Sequence, residues 1–326
     1  MTGVRTGADY LSMRLPTSGL LHVVALAAFA ASACDRAPRP TDDDTTALLP
    51  PALAGDTATT VAGPNGWSPD AGPALIVSGE AQSAAVVFPQ ASGALSDTLR
   101  FDDAAIADAR VALFSRTGLV GQGTIAAGFD SSAAECVGWP RVRVIPDDQV
   151  PPGATWTVAL LAGHATALPA DSIGAMSRAD SARYTRAVLR LASMIPSDRS
   201  QPFHGLPFSV RSVFRFRPEP SVDALVSDVV RRISTEANPR EEHTLIVAER
   251  DTASSARFEL VYHERAAGPE ETVVASDALA MLLVGPAQRP TVVLSRDDGS
   301  GTVYALLERT GPEAWRVRWN SAHSSC

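Results

Sequence analysis

Thr244-Leu-Ile-Val-Ala-Glu-Arg-Asp251 and Thr291-Val-Val-Leu-Ser-Arg-Asp-Asp298 are one segment written twice in residue type. Downstream of each copy the likeness continues. Glu264-Arg265 followed by Gly268-Pro269-Glu270 returns as Glu308-Arg309 followed by Gly311-Pro312-Glu313, with a slip of one position. Each copy reads strand, turn, strand, turn, strand at a period of about 45 residues, the size of one propeller blade or a pair of hairpins. Two copies are too few to close a propeller, so the spacing predicts an open antiparallel meander over residues 221–326. Val222, Leu225, Val226, Val229 and Ile233 would also fit a helix. Their β-branched content and the equivalent stretch Ala278 to Val284 favour a strand.

Upstream, short apolar runs bounded by glycine and proline continue the β pattern. They are Leu75-Ile76-Val77, Ala84 to Phe88, Arg110 to Phe114, Gly121 to Ile125, Val137 to Ile145 and Thr155 to Leu161. One segment departs from it. From Ser177 to Ile195, Tyr184, Ala187, Val188, Leu191 and Ile195 recur at helical spacing, Ser177-x-x-Asp180 offers a cap, and Pro196 ends the run. Phe208, Val210, Phe214 and Phe216 then alternate with Ser209, Arg211, Arg215 and Arg217, which predicts a strand with one buried face. The fold class is therefore mainly β: antiparallel meander sheets with one clear helix near 177–195. Residues 73–170 read as an N-terminal β region, 171–220 as a helix and strand connector, and 221–326 as the repeated meander. The layout of residues 224–321 resembles degenerate FG-GAP/VCBS-type blades of secreted bacterial proteins. The calcium loop of that family, D-x-D-G-D-G, has no counterpart here.

The N-terminal segment reads as an address. Arg14 precedes an apolar run from Leu20 to Ala31, too short to span a bilayer but suited to a secretory signal. Ala31-Ser32-Ala33-Cys34 resembles a bacterial lipobox, which implies a lipid on Cys34 and a mature chain beginning there; translation from Met13 instead of Met1 would give a more compact signal. Cleavage by an ordinary signal peptidase after Ala33 is the competing reading. Residues 1–33 are thus the signal peptide. Residues 34–72, rich in Asp, Thr, Pro and Ala, lack apolar periodicity and read as a disordered tether. The expected location is the bacterial cell envelope, lipid-anchored and facing the periplasm or the exterior. With Cys34 taken by lipid, Cys136 and Cys326 remain, and in an oxidising compartment such a pair tends to be bridged.

All 28 basic residues are arginine, against 36 acidic ones, for a net charge of −8. Removing residues 1–33, which carry two arginines and one aspartate, makes it −9. That balance argues against binding nucleic acid through its phosphates. The absence of lysine excludes Schiff-base, P-loop-lysine and Ser–Lys chemistry. No G-x-S-x-G or S-x-x-K motif occurs, and no cofactor or metal site is legible. Arg296-Asp297-Asp298-Gly299-Ser300-Gly301 is too short for a calcium loop and reads as a hairpin turn.

Two constellations remain. Glu241-Glu242-His243, with His263-Glu264 in the next strand, reads as a charged hairpin end with cross-strand Glu–Arg pairs. Its alternative is an envelope hydrolase, metal-dependent, using His243 or His263. Arg141 and Arg143, Arg211, Arg215 and Arg217, and Arg316 and Arg318 occupy the polar side of alternating strands. Were those strands to adjoin, they would form an anion-binding face for an envelope polymer or a partner protein. The expected function is a non-catalytic binding or interaction module of the envelope.

Overall fold

The computed structural model describes residues 67, 69–79, 83–89, 106–126, 138–197, 201–235, 237–254 and 257–325. Cys34, Cys136 and Cys326 lie outside them, and with them the lipid-attachment and disulfide readings. The last residues of the segment read as tether are packed. The Trp67 indole stands edge-on to Trp319 at 4.7 Å between ring centres, donates to the Gly72 carbonyl at 2.6 Å, and Ala71 is buried beside it.

Leu75–Ser78 (β1), Ser83–Val87 (β2), Arg110–Ser115 (β3), Gly118–Ile125 (β4), Arg141–Pro146 (β5) and Val158–Leu161 (β6) close an antiparallel barrel in the order β1-β2-β5-β4-β3-β6. Strands β1, β3 and β6 read as unbroken apolar runs because both of their faces are covered. Ile76, Val86, Val111, Leu113 and Val142 point inward and fill the barrel. Leu75, Val77, Phe114 and Leu160 point outward onto Leu282, Val293, Leu306 and Trp319 of a neighbouring sheet.

Two short strands lead out of the barrel, Ala165–Ala167 (β7) and Asp171–Ser172 (β8), followed by the helix Arg178–Met194 (α1). Ser177 caps α1 as the sequence predicts, its Oγ accepting from the Asp180 N–H at 3.1 Å. Ser209–Glu219 (β9), Val222–Ile233 (β10), Arg240–Asp251 (β11) and Glu259–Pro269 (β12) join β8 in a sheet of order β12-β11-β10-β9-β8. Ala275–Val284 (β13), Arg289–Asp297 (β14), Gly301–Gly311 (β15) and Ala314–Asn320 (β16) join β7 in a second sheet of order β16-β15-β14-β13-β7, with Ser324–Ser325 (β17) paired to β15. Residues 222–233 are a strand.

The two repeat copies, β10–β12 and β13–β15, thus become two three-stranded meanders in different sheets, laid face to face. Phe214, Phe216, Val226, Leu245 and Val247 meet Met281, Val292, Leu294, Leu307 and Trp315 between them. On the outer side of the five-stranded sheet, Tyr184, Val188 and Leu191 of α1, with Ile195 just after it, cover Leu225, Val229 and Ile246. Barrel, sheet, sheet and helix form four layers. Each such side chain, once buried, stabilises by about 1.5–3 kcal/mol.

The single buried face expected for residues 208–217 is not what forms. Phe214 and Phe216 point between the sheets, whereas Phe208 and Val210 pack on the helix side. An irregularity in the pairing of β9 with β10, between Asp228 and Val229, shifts the register and flips the side-chain parity.

Because β10 and β11 lie in the centre of one of the two middle layers, their polar residues are buried too, and register supplies their partners. Asp223 stands opposite Arg250, Arg231 opposite Glu242, and Arg232 opposite Glu241. Between the sheets Glu249 accepts from Arg309 Nε at 2.6 Å and Nη2 at 3.0 Å, and from the Trp315 indole at 2.5 Å. Arg309 also reaches Glu219.

Candidate functional site

A cavity of about 470 Å³ opens where the start of α1 meets β8–β11. Its organising residue is Asp223, whose side chain is only 1% exposed. Three guanidiniums gather on that carboxylate: Arg215 at 2.6 Å, Arg217 at 3.1 Å, and Arg250 from the facing strand. Arg183 of α1 lines the same space, paired with Asp180 at 2.8 Å. Asp171 on β8 stands 3.8 Å from Arg215, with its side chain 67% exposed. Four guanidiniums therefore face three carboxylates, and only one carboxylate is buried among them. Burial alone would raise the Asp223 carboxyl, but the hydrogen bonds from Arg250, Arg215 and Arg217 outweigh it and hold it below the usual carboxylate range. The buried Nε atoms of Arg215 and Arg250 have no hydrogen-bond partner in the protein. A surplus positive charge in a polar hollow suits an anion.

The seven arginines singled out by alternation are dispersed. Arg141 and Arg143 lie on barrel strand β5, whose neighbours are β2 and β4. Arg211, Arg215 and Arg217 lie on β9, and Arg316 and Arg318 on β16, in the other sheet. None of these strands pairs with another, so the condition for one common arginine face is not met. β5 belongs to the barrel, β9 to the sheet that holds the first repeat copy and β16 to the sheet that holds the second. Arg141 donates to Ser83 at 2.8 Å, Arg211 pairs with Asp228 at 3.2 Å, and Arg318 lies 3.7 Å from Glu308. Only Arg215 and Arg217 converge. No family model, curated protein or solved structure matches this chain. The cavity therefore has to be read from its own chemistry.

Sequence reasoning passed over Asp223, Arg250 and Arg183. A signal existed for the first two. Asp223 interrupts an apolar run, and aligning β10 with β11 around their hairpin puts Arg250 opposite it.

Glu241, Glu242 and His243 form cross-strand pairs as read, but not at a solvated end: all three are buried. Arg231 Nε donates to Glu242 at 2.9 Å, and Arg232 pairs with Glu241. His243 places Nδ1 3.0 Å from Asp228 and Nε2 2.7 Å from Glu241. Both ring nitrogens are thus engaged, which leaves neither free for a metal or a substrate proton. His263 sits opposite Ile246, on the other face of the sheet, so the two histidines do not come together. Among the described residues, no group of three or more His, Cys, Asp or Glu side chains could hold a metal ion. Among them also, no helix is long and apolar enough to cross a membrane. The segment Arg296 to Gly301 is the β14–β15 hairpin, and Asp298 accepts from the Ser300 and Gly301 N–H groups at 2.9 and 3.0 Å.

Proposed function

We propose that this protein is a lipid-anchored, non-catalytic binding module of the bacterial cell envelope, and that its ligand is anionic. The observation that carries the reading is the convergence of Arg215, Arg217 and Arg250 on the single buried carboxylate of Asp223 in an open cavity. The lipobox-like run ending at Cys34 supports the anchor. A Cys136–Cys326 bridge belongs to the same reading.

Calorimetric titration with inorganic phosphate and with long-chain polyphosphate tests the ligand class. Arg217, whose side chain is 61% exposed, can be replaced with little cost to folding. Arg217→Ala is expected to weaken polyphosphate binding about tenfold, the worth of one charge-assisted hydrogen bond. Wild type and variant binding alike, or neither binding, would overturn the anionic ligand. The anchor is tested apart from it: palmitate labels the full chain and not Cys34→Ala, and equal labelling of the two removes the lipid from the reading.

A further inference from the structure

His243 offers a second observation, independent of the arginine cavity. Its side chain is 6% exposed and wedged between two carboxylates, Asp228 on β10 and Glu241 on β11. A neutral imidazole carries one N–H and one lone pair, so it can satisfy one carboxylate and must turn its lone pair toward the other. The rest of the network shows which oxygens are acceptors. Asp228 Oδ2, the atom facing Nδ1, also accepts from Arg211 at 3.2 Å. Glu241 turns one oxygen to Nε2 and the other to Arg232. Both partners are therefore acceptors, and both ring nitrogens must be donors.

We infer that His243 is held as an imidazolium between Asp228 and Glu241, and that this proton is a latch on the β10–β11 hairpin end of the sandwich. When it leaves, a lone pair faces a carboxylate oxygen within hydrogen-bond distance at a buried site, and the hairpin end loosens. That end borders a cavity of about 330 Å³ lined by Arg232, Arg240, Glu241 and Glu270.

Asp228 and Arg232 lie on β10, Glu241 on β11, and Arg211 on β9. On β12 Glu264 faces the same inter-sheet space and is held by Arg296 of the opposite sheet at 2.5 Å. Glu270 lines the cavity beyond Glu241. The titration agrees in direction. Burial lowers the His243 pKa, but the bonds to Asp228 and Glu241 raise it by more, leaving it above the usual histidine value. For Glu241, burial raises the pKa and His243 with Arg232 lower it by more, so it stays ionised. A group whose folded pKa is raised contributes stability that is complete below its unfolded pKa, about 6.5, and lost as pH rises through the folded value. The latch is closed in acid and released in alkali.

Long-range proton–nitrogen NMR of the folded chain reads the ring directly. His243 is assigned by its disappearance in His243→Gln. Should that variant not fold, it is assigned by elimination using Gln variants of the other histidines. The expected result is a His243 ring protonated on both nitrogens at pH 7 that becomes neutral only at higher pH. A neutral ring at pH 7 overturns the inference. As a second readout, the Tm of wild type is expected to fall by roughly 2–4 °C more than that of His243→Gln between pH 6 and pH 9. Equal falls in the two proteins would likewise remove the latch.

Discussion

Glu249→Ala is expected to destabilise the fold by about 3–5 kcal/mol, the cost of orphaning one member of a buried ion pair. The carboxylate is the single acceptor on which Arg309 and the Trp315 indole both close, and it ties β11 of one sheet to β15 and β16 of the other. Its loss leaves a guanidinium that is 5% exposed with only the outer Glu219 to meet. Urea denaturation measures the effect. Glu219→Ala is the matched control: that carboxylate is 49% exposed, so its removal should cost under about 1 kcal/mol. A Glu249→Ala loss no larger than the control would mean that the inter-sheet bridge does not hold the sandwich. Replacing Glu249 and Arg309 together by apolar residues should recover much of the loss, because no unpaired charge then remains.

Asp223→Ala is expected to cost about 3 kcal/mol, since it removes the counter-charge of Arg215, Arg217 and Arg250 at once. The effect carries a pH signature. Asp223 has a depressed pKa, so its contribution is complete above the unfolded carboxyl value of about 3.9 and fades as pH falls through the folded one. The gap between wild type and Asp223→Ala should therefore be full at pH 6 and narrow below pH 4. A gap that persists unchanged at pH 2 would point to lost packing in place of lost charge. The same variant separates structure from binding. Removing the resident carboxylate raises the cavity's positive surplus, so the folded fraction of Asp223→Ala should bind polyphosphate more tightly than wild type does.

Local chemistry made much of the chain legible. Ser177, Pro196 and the apolar spacing between them define α1, because a cap, a stop and a stripe are properties of neighbouring residues. The β-branched run at 222–233 and its echo at 278–284 gave the right answer against a competing helical period, since both copies became strands of matching meanders. Asp298 and Gly299 announced a hairpin, and Gly299 adopts the left-handed φ of 76° such a turn requires.

Facing and pairing were decided elsewhere. Sequence alternation gave β9 one apolar face, but a register shift against β10 turned Phe208 and Val210 to the helix and Phe214 and Phe216 to the other sheet. Alternation also placed seven arginines on polar sides, yet it could not say that β5, β9 and β16 belong to three different sheets. Glu241 and His243 look solvent-facing in sequence and are buried in the fold, because the second repeat copy covers the strand that carries them. The sequence by itself determined the strands, the helix and the repeat, all of which follow from side chains within a few positions of one another. Which arginine meets which carboxylate, and whether water is there to screen them, depended on how four layers stack, a matter of contacts between residues far apart along the chain.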